Sequence, residues 1–329
     1  MKSIVACCAQ FSSFFYQGKR GASGYDGAVA RCERYLASNG CPPPSLPGDR
    51  FSHVTFMTAG ERKEIATCGG EDGNSLSSCL VLDTSTGQWE ENRMEPLLQE
   101  RYLHAAVTLE GQVYVIGGQA GSSSTGSTTE VLPAGSKTWE QGPEFPRYMS
   151  SPGSPKFQVR MATPCAVAIS TTSFLVICEK EIREFDASTA GPTSNQGWAE
   201  EAKWPKLETN REFWPGCAKV GDDKVVIAGG VGRDSTLQTT EILDLSTRRI
   251  SQGGKMATPR YRFHIISFNN NGVFTTLAVG GIDGFNRLNT VEEWEPESES
   301  WSTVETRLKE KKSQFGLVAV NKNLVCPSQ

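Results

Sequence analysis

Histidine is nearly missing from this sequence: three residues in 329, His53, His104 and His264. A metal centre built on clustered imidazoles has little to draw on, and neutral-pH base chemistry has few candidates. No apolar run approaches the roughly 18 residues that a membrane helix needs. The formal net charge is −4, so there is no overall basic footprint for nucleic acid. Long helical periodicity is scarce as well. Glycine is plentiful instead, with 33 residues set between short apolar runs, which points to many short strands joined by turns. Charged residues at 21% and aromatics at 9% fit a folded chain, long enough for one large all-β unit or two average domains.

The opening "MKSIVACCAQFSSFFYQGKR" reads two ways. One basic residue and a loosely apolar run suggest a signal peptide, whereas Gln10 and three serines suggest a short polar leader without a clean cleavage site. The ten cysteines (7, 8, 32, 41, 68, 79, 165, 178, 217 and 326) are too few for a disulfide scaffold of this length, so their placement decides their role.

Repeats carry the strongest signal. Glycine pairs stand at 69–70, 117–118, 229–230 and 280–281, and a degenerate copy, "SFLVICEKEIREFD", fills the double-length middle interval. Each pair follows an apolar run ("EIATC", "VYVI", "KVVIA", "TTLAV") and precedes a second one ("CLVLD", "TEVLP", "TEILD", "VEEWE"). Six residues after the second run comes a large apolar side chain: Trp89, Trp139, Ile250 and Trp301. Upstream, a further landmark recurs about every 50 residues, at His53, His104, Thr163, Trp214, His264 and Phe315. The unit therefore holds four short extended segments. One such sheet cannot bury both faces, but several packed radially can. The glycine pairs then mark a sharp strand exit that tolerates no Cβ, and the tryptophans fill the space between sheets.

The run Arg-x-x-His, apolar strand, Gly-Gly, second strand and distant Trp resembles the Kelch repeat, and "GGIDGFNRLNTVEEWEPESESW" is an especially close match. The resemblance covers residues 24–329 and implies an all-β, six-bladed Kelch-type β-propeller, leaving 1–23 as leader. The sixth copy is cut short after "GLVAV" and "NLVC", while "CERYLASNGCP" aligns with "CLVLDTSTGQW". The last blade is thus expected to join strands from 315–326 with strands from 28–46, leaving no free edge.

That alignment yields disulfide expectations. Cys68–Cys79 and Cys32–Cys326 fall at equivalent cross-strand positions, and Cys165–Cys178 face each other across a hairpin; Cys7, Cys8, Cys41 and Cys217 are left unassigned. Such bonds imply an extracellular or secreted setting; buried thiols would imply the cytoplasm instead.

Little catalytic chemistry is legible. Gly280–Gly281 is followed by a strand rather than a helix start, so a phosphate cradle is not expected. The histidines fall in repeat positions, and no metal or other cofactor is expected. Kelch-type propellers include copper oxidases of the galactose oxidase kind and sugar mutarotases, which leaves a carbohydrate-active enzyme as the alternative reading. The leading expectation is a non-enzymatic interaction scaffold. Three residues before the landmark stand Arg50, Arg101, Arg160, Arg211, Tyr261 and Lys312, with Arg260 and Arg262 flanking the fifth. In a closed ring these would surround one mouth, where the resemblance implies binding of an acidic loop or peptide of another protein. The competing reading gives these arginines a structural role, paired with acidic residues of the blades.

Overall fold

The computed structural model describes residues 46–320 apart from 49, 60–62, 84–85, 121–127, 145–162, 191–195, 201–202, 271–272, 306 and 309. Of residues 2–8, 31–35, 270, 273 and 321 it describes the backbone alone.

The chain is an all-β propeller. Five blades are built from consecutive strands, each an antiparallel meander running from the axis outward. Blade one holds β3 (Val54–Met57), β4 (Ile65–Cys68), β5 (Cys79–Asp83) and β6 (Gln88–Glu90). Blade two holds β7 (Ala105–Leu109), β8 (Gln112–Ile116), β9 (Thr129–Leu132) and β10 (Glu140–Gln141). Blade three has three strands, β11 (Cys165–Ala168), β12 (Ser173–Cys178) and β13 (Glu181–Asp186), with a single Phe185–Trp198 bridge at its outer edge. Blade four holds β14 (Gly216–Val220), β15 (Lys224–Ala228), β16 (Thr240–Asp244) and β17 (Arg249–Gly253). Blade five holds β18 (His264–Asn270), β19 (Val273–Val279), β20 (Val291–Glu295) and β21 (Ser300–Thr303).

The ring is closed differently from expectation. In place of a sixth four-stranded meander, the described residues form a three-stranded sheet in the order β2 (Arg31–Tyr35), β1 (Lys2–Cys8), β22 (Gly316–Asn321). Residues expected to be leader thus supply the middle strand, paired on both edges. The apolar run Ile4–Ala6 that suggested a signal peptide serves equally well as a strand, and a strand between two others leaves neither edge open. Cys32 stands opposite Cys7 in this register, while Cys326 lies outside the described residues. The innermost strands β3, β7, β11, β14, β18 and β22 lie each against the next, and β22 lies against β3.

Packing explains the patterns that betrayed the repeat. The second strand of each blade is covered by sheets on both sides, so "IATC", "SFLVIC" and most of "KVVIA" are buried without alternation. The tryptophans sit between blades. Trp139 meets Phe56 of blade one edge-on with ring centroids 6.0 Å apart, and Trp301 donates its indole N–H to Thr240 Oγ1 of blade four at 2.9 Å. At the close-match repeat, Gly280 and Gly281 have φ of +61° and +101°, and a Cβ on Gly280 would stand 2.7 Å from the Lys312 carbonyl oxygen. The next unit's entry segment crosses there, so the pair is architectural.

Candidate functional site

Each unit enters its innermost strand through a short segment at one mouth of the channel, and that segment begins with the recurring cation. Arg101, Arg211 and Arg260 are fully buried and point into their own blades. Arg211 Nη1 donates to the carbonyls of Gly229 (2.7 Å) and Thr239 (3.1 Å), and Nη2 donates to Glu241 Oε2 at 2.9 Å. Arg101 repeats the arrangement with Gly117, Thr128 and Glu130, and Arg260 with Gly280, Thr290 and Glu292. Each glutamate also accepts two backbone N–H groups from the approaching linker, those of Leu98 and Gln99, of Glu208 and Thr209, and of Ala257 and Thr258. Burial lowers the pKa of these guanidinium groups, and the paired carboxylate opposes it. Blade one has Leu80 where blades two, four and five have glutamate; Arg50 binds instead to the Gly69 and Ser78 carbonyls and the Ser78 hydroxyl. Its pKa falls to about 10, chiefly through burial.

The expected ring of outward-facing cations is therefore corrected. Arg50, Arg101, Arg211 and Arg260 fasten each linker to its own blade, and Lys312, at the equivalent place, is buried too. Arg160 lies outside the described residues. The periodic slot was legible, but the direction of the side chain depends on a partner two residues into the third strand, the Glu of "TEVL", "TEIL" and "VEEW". Those strings show it; they are easily read as strand alone.

The landmark register also shifts. His53 and His104 are matched by Phe263 and Phe315, because Arg260 rather than Tyr261 fills the arginine slot of blade five; in blade four one extra residue, Glu212, moves the landmark from Trp214 to Pro215. Phe263 packs on Gly229, and Phe315 on Gly280, as His104 does on Gly69. His264 sits one position later, at the start of β18, its ring 5.1 Å from that of Phe315, and burial brings its pKa down to about 4. Burial, with Arg101 nearby, likewise lowers the pKa of His104. Among the described residues, no group of three or more His, Cys, Asp or Glu is placed to hold a metal ion.

One residue before each landmark position (His53, His104, Pro215, Phe263 and Phe315), a non-glycine residue turns through positive φ: Ser52 (53°), Leu103 (58°), Trp214 (52°), Arg262 (54°) and Gln314 (59°). Such strain recurs where a surrounding structure over-determines the backbone. Here neighbouring units hold one another, for the N–H of Leu103 donates to Ser52 O, that of Ser52 to Gln314 O, and that of Gln314 to Arg262 O. Their side chains rim a channel cavity of about 250 Å³, lined also by His53, His104, Thr163 and His264.

Among the described residues that line this cavity, Arg262 is the cation. It is half-buried, with its Cζ 4.3 Å from the ring centroid of Trp214 and 5.9 Å from that of Tyr261. It makes no hydrogen bond or ion pair with any described residue, and its buried Nε lacks an acceptor, as does the indole Nε1 of Trp214. Glu71 of blade one acts on it through space; burial raises that carboxyl group's pKa, and Arg262 opposes the rise.

The cysteines divide. Cys68–Cys79 are bonded across β4 and β5 as expected. Cys165 is bonded to Cys217, not Cys178, and the bond joins the inner strands of blades three and four at the cavity wall. The reason is register: Cys165 pairs with Ile177, so Cys178 falls one residue away and faces blade two, packed with Phe174 and Tyr114. Cys178 is buried, and burial raises the pKa of its thiol.

A family model described as Kelch motif matches residues 100–146, the segment from Arg101 through blade two. Kelch-like protein 33 of Homo sapiens is 35% identical over 108 residues, covering 31% of this chain and 19% of that protein. Kelch repeat-containing protein kel-10 of Caenorhabditis elegans is 26% identical over 148 residues, 39% of this chain and 25% of that protein. An F-box/kelch-repeat protein of Arabidopsis thaliana is 33% identical over 97 residues, 29% of this chain and 35% of that protein. The matches thus span between a fifth and about a third of these relatives' lengths.

Proposed function

Starting from a chain that is a Kelch-repeat β-propeller, we propose that it serves as a non-enzymatic scaffold, binding an acidic loop or segment of another protein at the mouth of the ring. One observation carries the reading. Every other arginine of the ring that the structure describes is spent on its own blade, whereas Arg262 stands at the rim, stacked on Trp214 and bonded to none of them. A guanidinium held in place by an aromatic face and backed by a partly dry wall favours a carboxylate from outside. Tyr261 and Trp214 beside it belong to the residue types that dominate binding energy at interfaces.

The Cys68–Cys79 and Cys165–Cys217 bonds support an extracellular or luminal setting over the cytoplasm. The experiment is a charge reversal. Arg262→Glu is expected to abolish capture of an acidic partner segment while leaving the melting temperature unchanged. Partner binding that survives the reversal would overturn the reading.

A further inference from the structure

The same hairpin is built at the mouth face in three blades, which gives an internal comparison. In blade one Glu71 bridges Ser75, in blade four Val231 bridges Thr236, and in blade five Ile282 bridges Arg287. Each is closed by the same bond at its base, from the N–H of Leu76, Leu237 or Leu288 to the carbonyl of Gly70, Gly230 or Gly281, all at 2.8 Å. Each also has a bond near the tip, Asp72 N to Asn74 O, Gly232 N to Ser235 O, and Asp283 N to Asn286 O.

The tips differ. Blade one carries Gly73 and blade four Arg233–Asp234, as a solvated turn requires. Blade five carries Gly284–Phe285, and Phe285 is 98% exposed. It is not a frayed side chain on a loose loop: Asp283 Oδ1 accepts the N–H groups of Phe285 (3.1 Å) and Asn286 (2.8 Å), fixing the turn. The stem differs as well. Where blades one and four have Ser75 and Thr236, blade five has Arg287, close enough to Arg262 for the two charges to repel. The frame folds with polar tips elsewhere, so neither Phe285 nor Arg287 is needed to build it.

We infer that the blade-five hairpin Ile282–Arg287 is a partner-reading element, with Phe285 taking an apolar side chain of the same protein segment whose acidic side chain meets Arg262 and Arg287. The inference rests on the mouth reading above and deepens it by making the recognised motif bipartite, one carboxylate and one apolar residue. Charge decides the occupant: a guanidinium on the same hairpin, with that of Arg262 near it, favours an acidic segment. Phe285 alone would fit a second copy of this chain or a lipid surface equally well.

The test uses an array of short peptides, each carrying one glutamate and one leucine at varied separation, with leucine-to-serine counterparts. Binding is measured for the wild-type chain, Phe285→Ser and Arg262→Gln, all three checked for an unchanged melting temperature. Phe285→Ser is expected to weaken the leucine peptides about tenfold, more than truncation of most interface residues does, and to leave the serine counterparts unmoved. Arg262→Gln is expected to weaken both sets. If Phe285→Ser binds every peptide as the wild type does while Arg262→Gln does not, the hairpin inference falls and the mouth reading stands. If no peptide depends on Arg262, both fall. A wild-type dimer that Phe285→Ser converts to monomer, or phosphatidylserine vesicle binding that it removes, assigns the aromatic to a second copy or a membrane and likewise overturns the inference.

Discussion

Glu241 is expected to be one of the costliest positions in the chain to change, although it is a charged residue and belongs to none of the hydrophobic clusters. Its carboxylate is fully buried and accepts from Arg211 Nη2 and from the backbone N–H groups of Glu208 and Thr209. Glu241→Leu imports the residue that blade one uses at the equivalent place, Leu80, but leaves Arg211 buried without its counter-ion. Removing one partner of a buried ion pair costs about 3–5 kcal/mol, because the remaining charge stays desolvated. At roughly 2 °C per kcal/mol for a chain of this size, the melting temperature should fall by about 6–10 °C, which calorimetry reads directly. The double variant Glu241→Leu with Arg211→Met removes the stranded charge and should recover most of the loss. A single-variant loss below about 1 kcal/mol, or a double variant no better than the single, would refute the reasoning and show that the linker is held by packing alone.

Other outcomes follow from the same geometry. His104 and His264 are held neutral by burial, the latter with a pKa of about 4, so the unfolded chain binds more protons between about pH 4 and 6.5 and stability should rise with pH across that window. Urea midpoints at the two ends of the window check this, and His264→Gln should narrow their difference. Gly281→Ala places a Cβ 2.7 Å from Phe263 Cβ at a φ of +101° and should cost about 2 kcal/mol or more in urea unfolding. Peptide mapping without reductant should return Cys68 linked to Cys79 and Cys165 linked to Cys217, with Cys178 alkylated only after denaturation.

The architecture was legible because a propeller writes itself repeatedly. Glycine pairs, doubly buried second strands and inter-blade tryptophans each recur at one spacing, and a feature seen several times survives one degenerate copy such as blade three. What was not legible depends on facing and on single-residue register. A one-residue slip between Ile177 and Cys178 decides which thiol Cys165 can reach, and Glu212 alone shifts a landmark in blade four. The arginine slot was visible, but whether a guanidinium turns outward or inward is settled by a glutamate some thirty residues later, as in Arg211 and Glu241. Arg262 and Trp214 could be located in sequence, yet their stacking joins two blades and has no local signature. The strand Lys2–Cys8 was hidden for another reason: an apolar run at the start of a chain looks alike whether it is a leader or the centre of a sheet.

That strand sets an order on biogenesis. β1 precedes its partner β22 by about three hundred residues of chain. At about 5–20 residues per second, the ring stays unlatched for roughly 15–60 s while the five blades between them assemble. During that interval a hydrophobic strand with at least one unfilled edge waits for its neighbour. The same sheet that latches the finished ring leaves its partly made form with a strand edge open to chance pairing.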